Sequence, residues 1–354
     1  MHENPAIQAH LQDYSPPAGT WGYIDASGEV VIEARYDDVR PFQEGLAAVV
    51  ENGLWGFIGK NGNWKISPQF IKAHGFEQGQ ARVRGANNKM GVINVSGDTV
   101  VPFSYEEIYD MDRQLYVSTL KNKRGIITTK GVTILDHIYS NIKILGNNAF
   151  AVKEVDKYAI IDRDATILVD NIERIKENNI IRVNGKYGLV DSTGKILIDP
   201  EEILISPGHE GHVVVKRDEK YGFYNIKEMV FFPIEGDQLK YIKQKRYRIK
   251  REGKYYLTDE KGVLITDRPF DSLYDFTEGI AAFEENTYWG YIDLNGRIII
   301  EPIFVLPWTS SEGKFRLFAG SGFGFHDSRG KLIIDPKFDD VRDFSEGMAA
   351  YMEN

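Results

Sequence analysis

The sequence predicts an all-β protein built as a tandem array of about ten units, each a β-meander or hairpin of about 34 residues. Three observations carry this. A Trp-Gly phrase returns at near-constant spacing, an Asp-x-x-Gly turn follows it, and no segment shows sustained helical periodicity with caps.

The phrase is clearest at Trp21-Gly22-Tyr23-Ile24-Asp25, Trp55-Gly56-Phe57-Ile58 and Trp289-Gly290-Tyr291-Ile292-Asp293. Variants at 90, 124, 158, 187, 221, 255 and 323 complete a series whose steps are 34 or 35 residues, except for one of 29. Each unit then supplies Asp or Asn, and three residues later Gly, as in Asp25 with Gly28 and Asp293 with Gly296. The carboxylate or amide bonds the turn backbone and Gly takes the left-handed position, which suits a short hairpin connection. A second strand follows, and a proline at 68, 102, 200, 233, 302 or 336 is read as its end. An aromatic anchor comes next (Tyr36, Phe70, Phe304, Phe338). A Glu-Gly or Gln-Gly pair then leads into a last strand such as Leu46–Val50.

Strand alternation places Trp21 and Tyr23 on one face and Gly22 and Ile24 on the other. A glycine inside a strand marks close approach, so a ring from a neighbouring strand is expected over it. These residues resemble the bacterial WG-repeat family, also called KWG repeats, over residues 21–354. Units one, two, nine and ten match it closely. The middle departs from it, with Met90 and Arg124 for the aromatic, Ala159 and Tyr256 for the glycine, and a shortened fifth unit. The resemblance implies a scaffold or binding array.

The expected architecture is an elongated solenoid over 21–354 behind an N-terminal extension, residues 1–20, with a closed propeller-like ring as the alternative. In the open form Met348–Met352 or the edge beside Trp21 is unprotected, a ready place for strand addition by a partner or second copy.

The chain has 52 acidic and 43 basic residues, a net charge of −9, and no cysteine. This balance argues against nucleic acid along the whole chain and removes thiolate chemistry. The N-terminus lacks the pattern of a secretory signal and no apolar run reaches membrane-spanning length, so a cytoplasmic location without membrane insertion is expected. The Asp-x-x-Gly turns lack the spaced oxygen ligands of a calcium loop, and His209 with His212 lacks a third ligand, so no metal is expected. Without a P-loop, a dinucleotide fingerprint or a Ser-His-Asp arrangement, neither cofactor nor catalysis is expected.

The expected function is a non-catalytic scaffold for a protein partner. The alternatives are a glycan or cell-envelope module using exposed aromatics and, more weakly, an enzyme hidden in the middle units. Candidate contacts are the off-template Trp64 and Trp308, the basic island with Arg246, Arg248 and Lys250, and Met348 and Met352 at the last strand.

Overall fold

Aromatic and β-branched residues in period-two runs form antiparallel strands, and here two kinds of turn join them. The first is a two-residue turn with both residues left-handed: Glu44 and Gly45 have φ of 54° and 76°, and Gln43 and Leu46 exchange both backbone hydrogen bonds. The second is the Asp-x-x-Gly turn. Asp25 Oδ1 accepts from the amides of Ser27 at 2.8 Å and Glu29 at 3.1 Å, and Gly28 sits at φ 88°. The Ser27 hydroxyl, ahead of these amides, holds the Asp25 carboxyl below the usual carboxylate range.

The computed structural model describes residues 19–109, 112–209, 211–319 and 322–353; the expected extension lies outside them up to residue 18. Among them the strands form ten small antiparallel sheets, with no α-helix and one 3₁₀ turn, Glu177–Asn179. Blade 2 has the common plan: a short strand Asp38–Val39, then Leu46–Glu51, Leu54–Gly59 and Trp64–Phe70, each paired with the next. The sheet is therefore out of phase with the sequence repeat. Each Leu-Ala-Ala strand pairs with the Trp-Gly strand that follows it.

That offset decides the architecture. The first Trp-Gly strand, Thr20–Asp25, has no preceding partner, and the last strand, Met348–Glu353, has no following one. They pair with each other along their whole length, from Thr20 opposite Glu353 to Asp25 opposite Met348. Blade 1 thus joins the first and last described strands, in the order Val30–Tyr36, Thr20–Asp25, Met348–Glu353, Asp340–Val341. The expected solenoid is overturned: the succession of sheets closes on itself as a ten-bladed β-propeller. The edges proposed at Met348–Met352 and beside Trp21 are already paired with each other, so strand addition there does not stand.

The chain divides into two compact units. Numbered in chain order, blades 3 to 10 begin at Lys72, Glu107, Asn141, Arg174, Leu204, Gln238, Ser272 and Lys314. One unit, Met1–Ile138 with Ser310–Asn354, holds blades 10, 1, 2, 3 and 4; the other, Tyr139–Thr309, holds blades 5 to 9. In the first unit both faces of blade 1 are buried, each in a separate core. Trp21, Tyr23, Met348 and Ala350 pack with Tyr36, Phe42 and Val49. Ile24, Ala349 and Tyr351 turn the other way, onto Phe325, Phe338 and Phe344. Tyr23 resolves its buried hydroxyl by donating to the Arg40 carbonyl at 2.8 Å.

Pro233 ends its strand, Val230–Pro233, as expected, but the prolines at 68, 102, 200, 302 and 336 lie inside theirs. Trp21 faces Tyr36 while Tyr23 faces Ile32, so the outer strand arches over Gly22 with extra residues before rejoining its partner. A Cβ on Gly22 would stand 2.3 Å from the Ile32 carbonyl oxygen. In blade 2 a Cβ on Gly56 would stand 2.7 Å from the Ile66 oxygen, the Pro68 nitrogen and a Trp64 ring carbon. Pro68 lies within the arch, where a missing N–H breaks no ladder bond. The expected ring is present over Gly56 (Trp64) and Gly91 (Phe103), whereas the atoms nearest a Gly22 Cβ are all backbone, of Ile32, Glu33 and Ala34.

The worn units obey the same geometry. Where Ala159 replaces the glycine, the arch is one residue shorter, with Tyr158 opposite Ile172 and Ile160 opposite Val169. Where Tyr256 replaces it, blade 8 keeps only three strands among the described residues. Its outer segment is reduced to the bridges Tyr255 to Phe270 and Thr258 to Leu264.

One buried histidine yields a pH expectation. His326 stacks on Phe315 with centroids 5.0 Å apart and contacts the Asp327 carbonyl through Nδ1 at 2.8 Å, and burial lowers its pKa. The fold holds the neutral ring, whereas the unfolded chain binds a proton near about pH 6.5. Stability is therefore full above that pH and falls as pH drops through it toward the lowered folded value. Urea midpoints are expected to decline between about pH 7 and about pH 5.5, and His326→Phe, which keeps the stack, should flatten that slope. An unchanged slope in the variant would contradict this account.

Candidate functional site

The predicted contacts fall mostly into structural roles. Trp64 is partly buried over Gly56 and edge-on to Tyr36, with centroids 5.9 Å apart, so it is packing and not an exposed platform. Met348 is buried and Met352 partly so in the same core. Trp308 is half-buried, and its backbone N–H and C=O both bond the Tyr291 hydroxyl at 3.0 Å. In the basic island Tyr247 and Ile249 are buried, as alternation requires. Arg246 Nε donates to the Leu294 carbonyl at 2.8 Å, and Arg248 donates to the Leu273 carbonyl, so both arginines bind blade 9.

Arg248 belongs to a recurring device. In the first unit Arg342 donates to the Val39 carbonyl, Arg40 to Ala73 at 2.8 Å and Arg82 to Ile108 at 2.9 Å, each reaching the short strand of the next blade. The Glu-Gly turns are linked in the same direction. Glu312 accepts from the Gly347 amide at 3.0 Å, Glu346 from Gly45 at 2.9 Å and Glu44 from Gly79 at 2.8 Å. Arg40, His74 and Arg82 line a cleft of about 530 Å³ whose rim carries Glu44, Glu77 and Glu346. An Nη of Arg82 lies 3.4 Å from His74 Nδ1.

One pair looks catalytic. Ser118 Oγ lies 2.8 Å from His137 Nε2, and burial lowers the His137 pKa. Yet Ser118 is fully buried, and the His137 ring lies over Gly125 as Trp64 lies over Gly56. The contact satisfies a ring that fills the arch position. Among the described residues, no cluster of three or more His, Cys, Asp or Glu is placed to hold a metal, and no helix is long and apolar enough to cross a membrane.

The most regular exposed feature is one the sequence reading passed over. In blades 5 to 8, all in the second unit, a cation on the second strand stands directly opposite the template tyrosine: Lys153–Tyr158, Arg182–Tyr187, Lys216–Tyr221 and Lys250–Tyr255. The cationic groups lie 5.5, 5.7, 5.7 and 5.3 Å from the ring centroids. A second, exposed lysine precedes each tyrosine: Lys157, Lys186, Lys220 and Lys254. Only Lys250 had been singled out, as part of an island. The available signal was a Lys/Arg-x-x-x-Lys-Tyr phrase repeated in four consecutive units. At other blades the cross-strand partner differs: Val50 opposite Trp55, Glu284 opposite Trp289 and Phe318 opposite Phe323.

Three of these cations are compensated, Arg182 by Glu173, Lys216 by Glu219 and Lys254 by Asp271. Lys153, Lys157, Lys186, Lys220 and Lys250 form no ion pair among the described residues. The charged groups themselves lie over the tyrosine faces, which sets their positions along the row.

Comparison with known proteins gives a repeat match and a set of distant likenesses. The model for the WG containing repeat matches residues 21–55, 55–89, 90–117, 289–305 and 323–354. No curated protein matches the sequence. Among solved structures, one described as the eukaryotic initiation factor is 11% identical, with 96% of this chain and 98% of that chain covered at a TM-score of 0.49. BamB from Moraxella catarrhalis is 7% identical, with 90% and 96% covered at a TM-score of 0.33. PorZ of Porphyromonas gingivalis is 10% identical, with 87% and 45% covered at a TM-score of 0.27. The family matches fall on units at both ends of the described chain, among them those with the clearest Trp-Gly strands, and these units carry the WG containing repeat.

Proposed function

We propose that the chain is a non-catalytic scaffold that holds a partner protein. The observation behind this reading is the row of tyrosine-backed cations in blades 5 to 8, an exposed chemistry repeated blade after blade and left largely uncompensated within the chain. The groups that suggest chemistry elsewhere, the arginines of the cleft and the Ser118–His137 pair, are engaged in joining blades or filling arches. Amine-directed cross-linking of the intact chain in its native extract, with mapping of the linked peptides, tests this. One protein linked reproducibly at a defined set of blades supports the scaffold; no protein linked above background overturns it.

A second reading has one observation in its favour. A slot of about 500 Å³ in the first unit is lined by Gln69, Asn87, Thr99 and the stacked rings of Phe70 and Phe103, 6.4 Å apart at 11°. Carboxamides and a hydroxyl beside an aromatic face suit a sugar. Binding on a glycan array that Asn87→Ala removes would favour it, and an array without hits would dismiss it.

A further inference from the structure

The geometry points to an acidic segment of a partner protein as what the row in blades 5 to 8 takes, an inference that rests on the protein-binding reading above. The row presents two cations per blade at the connection between the second and third strands. Arg182 with Lys186, Lys216 with Lys220 and Lys250 with Lys254 flank two-residue turns, and in blade 5 Lys153 ends its strand while Lys157 lies in a four-residue connection. Arg251 adds charge at the second strand of blade 8, whereas Arg217 in blade 7 is paired with Glu202. This density stands on a chain whose net charge is −9, so it is local and not a property of the whole surface.

Holding an ammonium or guanidinium over a ring removes part of the side-chain entropy that binding would otherwise cost, so these charges are prepared to receive an anion. In blade 6 the tyrosine is braced from a second direction: Lys176 lies 4.4 Å from the Tyr187 centroid, besides Arg182. In blade 8 Arg248, at 4.7 Å from Tyr255, plays that part beside Lys250. The same arginine also anchors blade 9 through the Leu273 carbonyl, so its position is set by the fold.

Acidic residues are interspersed among the cations, at Glu154, Asp156, Asp218, Glu219 and Glu252. A nucleic acid, with a charge on every phosphate, would meet these carboxylates at close intervals and be repelled. A polypeptide with Asp and Glu between neutral residues can set its carboxylates against the lysines and pass the acidic positions with uncharged ones. Carboxylates on lysine and arginine also form charge-assisted hydrogen bonds, stronger than neutral ones.

The test uses the full chain and a fluorescein-labelled, glutamate-rich synthetic peptide, read by anisotropy. Single-stranded DNA of equal formal charge and polygalacturonate serve as competitors. The triple variant Lys157→Gln, Lys186→Gln and Lys220→Gln removes three unpaired, exposed charges without touching a buried group. The control triple Lys65→Gln, Lys72→Gln and Lys130→Gln makes the same net change on the first unit. The expected result is peptide binding that weakens about tenfold in the first variant, is unchanged in the control, and is lost near about 0.5 M salt. Equal binding by both variants, or DNA or polygalacturonate displacing the peptide at equal charge, overturns the inference. In the cross-linking experiment, a protein partner whose links all map away from these four turns would overturn this row and leave the scaffold standing. Absence of any partner would remove the scaffold reading itself.

Discussion

Truncation after Gly347 is expected to abolish cooperative folding of the unit that contains both chain ends. The lost strand, Met348–Glu353, supplies the whole second edge of Thr20–Asp25 and takes Met348 and Ala350 from one core and Ala349 and Tyr351 from the other. Losing a buried methionine costs about 2–5 kcal/mol and a large buried aromatic about 3–5 kcal/mol, before counting the ladder left unpaired. Together these approach the about 5–15 kcal/mol by which an ordinary domain is stable. Hydrogen exchange on the truncated chain should show protection lost from the strands of blades 10, 1 and 2, with a broad melt in place of a sharp one. A truncated chain that melts with the sharpness and midpoint of the intact one would contradict closure by this strand.

Gly22→Val and Gly56→Val are each expected to destabilise by about 3 kcal/mol or more, because the obstacle is backbone. The Ile32 oxygen at 2.3 Å from a Gly22 Cβ, and the Ile66 oxygen and Pro68 nitrogen at 2.7 Å from a Gly56 Cβ, cannot rotate aside as a side chain would. The arch would have to lift, taking Trp64 or the Tyr36 pairing with it. Gly45→Ala makes the comparison: nothing lies within 4 Å of its Cβ, but φ is +76°, so only the left-handed cost of about 1–2 kcal/mol applies. Urea denaturation of the three variants ranks them directly. Gly22→Val or Gly56→Val falling no further than Gly45→Ala would show that the arch yields.

The period, the two turns and the packing role of the Trp-Gly pair were readable from residues because each has a local cause. Asp25 caps its own turn, Gly28 needs its own φ, and Trp21 alternates with Gly22 on one strand. The closed form was not readable. Whether Met348–Glu353 meets Thr20–Asp25 depends on how ten blades pack on one another, and no residue of either strand records that sum. Proline was misread for a related reason. Pro68 looks like a strand end from its missing N–H, yet the arch opposite Gly56 provides a place where no N–H is needed. The middle units looked worn because they were compared with Trp and Gly, position by position. Their consistency is pairwise: Arg124 takes the aromatic's place in blade 4 and lies 4.7 Å from the centroid of Tyr109, while Arg40 lies 5.1 Å from that of Trp55 in blade 2. The Lys-Tyr row escaped notice in the same way, since only one of its four copies lies in the basic island.

Because a repeat period straddles two sheets, with its Trp-Gly strand in one blade and its Leu-Ala-Ala strand in the next, Thr20–Asp25 and Met348–Glu353 are complementary halves of one blade. Unequal crossing-over between neighbouring repeats removes or adds one whole period and leaves those halves untouched. Descendant genes can therefore differ in copy number while keeping the same joint between first and last strand. Selection then acts on which blades are duplicated, and a surface confined to consecutive blades, such as the Lys-Tyr row, can lengthen or shorten by one pair at a time.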